Sequence, residues 1–254
     1  MVDRSSSRLN VLVCGAGSIG QRHIKNLISL GVKVSVWRER DELLDSVVEQ
    51  FGVTPCYDLD QGIIEAEGII VATATDRHLF IIKKALLAKK AIFIEKPLSH
   101  NWSGISDLLS LSKKYESVIE VGCFLRAHPG LQLMSQELAT KRAGALLTFQ
   151  LSVGQELDQW RPGSDYRQCY SADSSRGGGA LMDLIHEIDL ATWFGGTIKG
   201  LFADQRSIGG LELKADDLTN IIVELDSGAT GQIQMDMISP VLRRRFEFVF
   251  EHEI

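Results

Sequence analysis

Apolar residues recur along the first half of the chain in two alternating rhythms. Short, largely β-branched runs at Leu9–Cys14, Val32–Trp37, Gly68–Thr75, Ala91–Glu95 and Val118–Phe124 read as strands. Between them, Ile19–Leu30, Arg40–Phe51, Arg77–Lys89 and Ile105–Tyr115 carry helical spacing. In the first of these, Ile24, Leu27 and Ile28 share one face and Gly31 supplies the stop. Strands alternating with helices predict a parallel sheet with helices on both faces. The second half changes rhythm. Leu146–Val153, Gly200–Ile208, Ile221–Asp226, Gly231–Ile238 and Arg244–Glu251 read as strands, with Asp226-Ser227-Gly228 as a hairpin turn. Ile233, Met235 and Met237 alternate with Gln232, Gln234 and Asp236, and Phe246, Phe248 and Phe250 with Arg245, Glu247 and Glu251. That pattern predicts half-exposed antiparallel strands. Leu181–Phe194 is helical, and the polar, aromatic stretch Gln155–Arg176 reads as a functional loop. The boundary between the two parts falls near Phe124–His128.

Composition narrows the class. A chain of 254 residues with 44% hydrophobic and 24% charged positions is long enough for one or two ordinary globular domains. No apolar run approaches the roughly 18–20 residues that span a bilayer, and the polar Met1–Asn10 segment lacks the apolar core of a signal peptide. A formal charge of −6 argues against a binder of phosphate backbones, so no nucleic-acid or membrane partner is expected. Cys14, Cys56, Cys123 and Cys169 are scattered, without C-x-x-C or zinc spacing. They read as buried free thiols of a reducing cytoplasm, and no metal site is expected.

The segment Cys14-Gly15-Ala16-Gly17-Ser18-Ile19-Gly20 contains G-x-G-x-x-G between a strand and a helix, the context in which that motif cradles a dinucleotide. Gly15 serves the tight turn, Gly17 the approach of a pyrophosphate, and Gly20 the packing of helix on strand. The helix N-terminus then offers N–H groups and a partial positive charge. At the tip of the second strand stands Trp37-Arg38-Glu39-Arg40. Arg38 suits a 2′-phosphate, with Arg40 as a second contact, while Glu39 suits a ribose diol. NADP is the favoured nucleotide and NAD the alternative.

Glu95-Lys96-Pro97 ends a buried strand on the side where a parallel sheet opens to ligands. A lysine there can exchange a proton with an alcohol or carbonyl; the tripeptide fits a surface lysine equally well. From Gly177 onward, Leu181, Leu184, Ile185, Ile188 and Ala191 share one helical face, with Asp183 and His186 neighbours on the other. Such a pair can orient a proton-shuttling imidazole, or it can be a solvated helix face.

Taken in order, Gly15–Gly20, Ala72-Thr73-Ala74-Thr75 with His78, Glu95-Lys96-Pro97, Arg126 with His128-Pro129, and the Gly177–Asp189 helix resemble the glucose–fructose oxidoreductase/inositol dehydrogenase (Gfo/Idh/MocA-like) family. The resemblance covers Val11 to Phe250. It implies an α/β chain with an N-terminal Rossmann domain (residues 1–124, a doubly wound parallel sheet). A C-terminal α+β domain (125–254) with an open, mostly antiparallel sheet would serve substrate and oligomerisation. It implies NAD(P)-dependent oxidation or reduction of a sugar, a cyclitol or a related secondary alcohol or ketone, in a cytoplasmic homo-oligomer. Lys96, Asp183 and His186 fall on the family's catalytic positions. Gly15, Gly17, Ser18, Ile19, Gly20, Arg38, Thr73, Thr75, His78, Glu95 and Lys96 would face the cofactor. Arg126 and His128 would sit near the domain junction, and Arg126, Trp160, Arg161, Tyr166 and Tyr170 would meet the sugar. Three departures stand out. Asp183 and His186 are three positions apart where many relatives have four. Ala74 replaces a common proline, and the chain ends at Ile254 where relatives continue for many tens of residues. The early end points to a truncated product, a fragment or a short natural form, with an edge strand left open. Other readings of the same motifs are a non-catalytic dinucleotide-binding regulator, a redox-type NAD-dependent glycosidase, and a structural subunit whose open sheet binds a partner.

Overall fold

The computed structural model describes residues 9–140, 142–160, 163 and 165–252. The chain divides after Gly122 into two compact units, Met1–Gly122 and Cys123–Ile254. In the first unit, β1 (Asn10–Cys14), β2 (Lys33–Trp37), β3 (Thr54–Cys56), β4 (Gly68–Val71), β5 (Ala91–Ile94) and β6 (Ile119–Val121) form one sheet in the order β3-β2-β1-β4-β5-β6. Every neighbouring pair is parallel. Side chains of β1 alternate between two cores. Leu12 and Cys14 pack with α3 (Leu59–Glu65), α4 (His78–Leu87) and α5 (Ile105–Tyr115). Val13 packs with α1 (Ser18–Ser29) and α2 (Leu44–Phe51). A strand buried on both faces is the reason these segments read as continuous apolar runs.

Two elements of this unit are too short for the apolar pattern to mark. Strand β3 is short and contains Pro55, which an edge position tolerates because one side of the strand needs no donors. Helix α3 is defined by its cap: Asp58 accepts from the N–H groups of Asp60 and Gln61 at 2.8 and 3.1 Å.

The second unit contains α6 (Pro129–Thr140), β7 (Leu146–Gly154), α7 (Ala180–Asp183), α8 (His186–Gly195), β8 (Ile198–Arg206), β9 (Leu218–Leu225), β10 (Thr230–Asp236) and β11 (Arg243–Phe250). Helix α6 was not foreseen; it opens on Pro129, a residue suited to a first helical position. The sheet order is β11-β7-β10-β9-β8. β7 and β10 are parallel and the other pairs antiparallel, so the sheet is mixed and mostly antiparallel. Phe149, Leu151, Val153, Val223, Ile233, Met235 and Phe248 form its inner layer with Leu190 and Ala191 of α8. The β9–β10 hairpin turns at Asp226-Ser227-Gly228, where the Gly228 N–H donates to the Leu225 carbonyl at 3.0 Å.

Two expectations need correction. Asp236, read as part of a wet face with Gln232 and Gln234, is only 1% exposed. It accepts from Arg243 Nη2 at 2.7 Å and from the Ser239 N–H at 2.8 Å, partners that strand alternation cannot reveal. The helix expected over Leu181–Phe194 is broken between Asp183 and His186. Its hydrogen bonds switch there from i−4 (Asp183 to Gly179, Leu184 to Ala180) to i−3 (Glu187 to Leu184, Ile188 to Ile185).

A methyl group added to Gly231 would meet the ring of Phe149 in the centre of the second core. The variant Gly231→Ala is therefore expected to lose about 1–3 kcal/mol of unfolding free energy. Urea titration followed by far-ultraviolet dichroism checks this; an unchanged midpoint would contradict the packing described.

Candidate active site

The loop after β1 is shaped by close backbone approach. Gly15 has φ +100°, and a Cβ there would lie 2.5 Å from the Ala72 carbonyl oxygen. A Cβ on Gly20 would strike the Gly15 carbonyl oxygen, whereas Gly17 faces open space. The Gly15 N–H donates to Trp37 O at 2.9 Å, and the Ala72 N–H to Cys14 O at 2.8 Å. The loop is thus pinned to both strands that flank β1. This is the point where the strand order reverses, the usual ligand crevice of such sheets. Gly17 caps α1 without a side-chain bond, and no acidic residue occupies the helix's first turn. The exposed Gly17 and Ser18 start a helix whose N–H groups and dipole favour an anion. Thr73 Oγ1 is buried and has no hydrogen-bond partner among the described residues. A glycine cradle, an uncapped helix N-terminus and an unanswered hydroxyl together fit a dinucleotide.

At the tip of β2, Arg38 Nη1 donates to Leu43 O at 3.0 Å. Burial and the neighbouring Arg40 hold its guanidinium below the usual arginine range. Glu39, the candidate for a ribose diol, instead forms an ion pair with Arg77. Beyond β5, Glu95 and Lys96 are half-buried and Pro97 is buried. His23 of α1 donates from Nε2 to Glu95 Oε1 at 2.7 Å. His78, expected to touch the cofactor, is 1% exposed and turned to the backbone. Its Nδ1 lies 3.0 Å from Pro97 O and its Nε2 3.2 Å from Thr73 O. Thr75 is also buried. Cys14 and Cys56 are buried thiols pushed up by burial, while Cys123 and Cys169 are only half-buried.

In the second unit the polar side of the Gly177–Asp189 segment is not solvated. Asp183, His186 and Glu187 are 4%, 3% and 0% exposed. The Tyr170 hydroxyl donates to Asp183 Oδ1 at 2.9 Å. The His186 ring meets the Phe124 ring edge to face at 4.4 Å between centroids. Arg244 of β11 donates from Nε to Glu187 Oε1 at 2.8 Å. A helical wheel shows none of these partners, because each comes from a segment distant in sequence. Leu181, Leu184 and Ile188 do pack against the core as expected, but only partly buried, so both faces of the segment are covered.

The residues expected around a sugar have separate local fates. Arg126 forms a fork with Asp189 (Nη2 to Oδ1, 2.7 Å) and lies 5.7 Å from the Trp193 ring centroid. Trp160 donates to Gln155 O at 3.1 Å, and with Tyr166 it packs against Leu157, Ala180 and Met237. Arg161 lies outside the described residues. His23, Glu187 and Arg244 are not among the residues that the sequence motifs mark. His23 carried a signal, since it follows Gly20 by three positions and so shares its helix face; the other two carried none. Among the described residues no group of three or more His, Cys, Asp or Glu could hold a metal ion, and no helix is long and apolar enough to cross a membrane.

The strand order and the glycine cradle define a dinucleotide-binding fold of the Rossmann type. Two family models match the chain. One is the oxidoreductase family with an NAD-binding Rossmann fold (GFO/IDH/MocA), over residues 9–123. The other is the GFO/IDH/MocA C-terminal domain, over residues 131–253. The chain belongs to the Gfo/Idh/MocA oxidoreductase family. It is 26% identical to the myo-inositol 2-dehydrogenase of Thermotoga maritima over 235 residues, which cover 89% of this chain and 67% of that one. It is 26% identical to the scyllo-inositol 2-dehydrogenase (NAD(+)) of Bacillus subtilis over 239 residues, covering 90% and 67%. Levoglucosan dehydrogenase in complex with NADH superposes with a TM-score of 0.86 at 22% identity, covering 96% of this chain and 72% of that one. The WlbA dehydrogenase from Bordetella pertussis, in complex with NADH and UDP-GlcNAcA, gives 0.87 at 20% identity, covering 96% and 72%.

Burial holds His78 below the ordinary histidine range, against the opposing effect of its two carbonyl partners. The folded chain therefore binds fewer protons at this site than the unfolded chain just below pH roughly 6.5. Its contribution to stability is present above that value and is lost as the pH falls. The stability gap between the parent and His78→Gln is expected to shrink from pH 7.5 to pH 5.5 in urea titrations. A gap independent of pH would contradict this assignment.

Proposed function

We propose that the protein is an NAD(P)-dependent dehydrogenase or reductase acting on a sugar, a cyclitol or a related secondary alcohol or ketone. The observation that carries the reading is the glycine cradle of Gly15 and Gly20 at the strand ends, in the same unit as Lys96 at the end of β5. Inositol dehydrogenases among the relatives support the substrate class. A bound nicotinamide supplies the hydride exchange. The chain's residues handle position and the proton. Gly15, Gly17, Ser18, Ile19 and Gly20 would hold the pyrophosphate at the α1 N-terminus, and Thr73 Oγ1 would find its partner there. Lys96 would give or take the proton of the substrate oxygen, with His186 as the second proton-transfer group. Asp183 would hold Tyr170, to which it is hydrogen-bonded. Tyr170 would contact the substrate, and Arg126, Trp160 and Tyr166 would shape the surroundings through the internal contacts they already make.

NADP is proposed as the preferred nucleotide. Arg38 stands at the ribose end of β2 beside Arg40, and Glu39 is engaged with Arg77. A homo-oligomer in the cytoplasm is proposed as well. The outer face of the second sheet, with Phe202 and Ile222 exposed on it, supports self-association, and the buried thiols of Cys14 and Cys56 support a reducing compartment.

Two variants test the reading. Lys96→Ala is expected to abolish turnover across a sugar and cyclitol panel while nucleotide binding persists. Turnover within a few-fold of the parent would exclude Lys96. Arg38→Ala is expected to weaken NADPH binding by about tenfold or more, the loss of one charge-assisted contact, and to leave NADH binding unchanged. Equal effects on both nucleotides would remove the assignment of Arg38 to a 2′-phosphate.

A further inference from the structure

Lys96 is bracketed by two histidines that reach its neighbours from different elements. On one side, His23 of α1 donates to Glu95 Oε1 at 2.7 Å, and its ring stands edge-on to Phe93, centroids 5.3 Å apart. Phe93 and Glu95 are two positions apart, so extended backbone turns both toward α1. The pair is mostly shielded, with side-chain exposures of 17% and 14%, and a charge-assisted bond in such surroundings resists exchange with water. On the other side, His78 at the start of α4 lies between two carbonyls, with Nδ1 3.0 Å from Pro97 O and Nε2 3.2 Å from Thr73 O. The backbone beneath is fixed too. The Glu95 N–H donates to Val71 O at 2.9 Å, and the Gly122 N–H to Ile94 O at 2.7 Å. The helix that begins at the glycine cradle is thereby joined by one side-chain bond to the residue preceding Lys96.

We infer that His23 and Glu95, with His78 opposite them, are positioning residues that hold Lys96 and tie its placement to helix α1. This rests on the dehydrogenase reading for the purpose of the clamp, not for its existence. His23 touches no reacting atom in this scheme; it acts through Glu95. Removing it leaves the glycine cradle intact but lets the Glu95-Lys96-Pro97 segment relax, so proton transfer suffers more than nucleotide binding.

The test is a double-mutant cycle on the chain without nucleotide, using His23→Gln, Glu95→Gln and the combination. Cooperative thermal unfolding in each variant establishes that it folds. His23→Asn replaces His23→Gln if that variant does not. The readout is the acetylation rate of Lys96 by acetic anhydride, measured by mass spectrometry relative to the remote Lys113. Each single variant is expected to change the relative rate by about threefold or more, and the double variant by no more than either single one, as for groups that act as a pair. In the presence of nucleotide, the His23→Gln variant is expected to lose kcat on any substrate found while its KM and nucleotide Kd stay within about twofold of the parent, the pattern of an interaction that serves the transition state. Unchanged Lys96 labelling in folded variants, or independent multiplication of the two effects, would overturn the clamp. If the labelling cycle holds but the parent turns over nothing, the clamp stands and the dehydrogenase reading falls. If turnover is found and the cycle shows no coupling, the reverse follows.

Discussion

The first unit depends on a contact between backbones. Gly15 presses against Ala72, and Gly20 against Gly15. These approaches leave no room for a side chain, and they bring the start of α1 to the carboxyl ends of β1 and β4. A β-carbon at either position would push the helix off the sheet. The loop would then lose its bonds to Trp37 and Ala72, and the helix dipole would no longer point at the crevice. The chemistry proposed for the site inherits its geometry from this contact. Thr73 lies next to Ala72, and His23 rides one turn further along the same helix.

In the second unit the deciding feature is buried charge. Glu187 is paired with Arg244, and Asp236 with Arg243, so β11 is fastened by adjacent arginines, one to α8 and one to the end of β10. The carboxylates are buried while the Arg244 and Arg243 side chains stay 29% and 52% exposed; such pairs contribute little net stability, because desolvation offsets much of their attraction, but leaving a buried carboxylate without its arginine is costly. Their effect is to fix register and placement. The Glu187–Arg244 pair in this way fastens the segment that carries His186 to β11. Tyr170 and Phe124 complete the enclosure of Asp183 and His186. A histidine and a carboxylate so enclosed differ in kind from the solvated helix face that the helical spacing alone favours.

The sequence made the parallel sheet legible because its strands are buried on both faces and its helices are amphipathic. The glycine motif was legible because each glycine answers a separate steric demand. What stayed hidden has physical causes. Strand β3 is a three-residue edge strand interrupted by Pro55, and helix α3 spans only seven residues with an Asp58 cap, so each is too short to show a clear apolar rhythm. The burial of Asp183, His186, Glu187 and Asp236 depends on Tyr170, Phe124, Arg244 and Arg243, which arrive from distant or differently oriented segments. Periodicity ranks a carboxylate as exposed unless its partner is known. His23 shows the intermediate case: its helical spacing was visible, but Glu95, 72 positions away, gives it a purpose.

Everything proposed for the site depends on the cradle of Gly15, Gly17 and Gly20 holding a nicotinamide dinucleotide. The decisive measurement is a fluorescence titration of the folded chain with NADPH and, separately, NADH. Saturable binding at one nucleotide per chain is expected, with NADPH the tighter ligand. A chain that unfolds cooperatively yet binds neither nucleotide would contradict it.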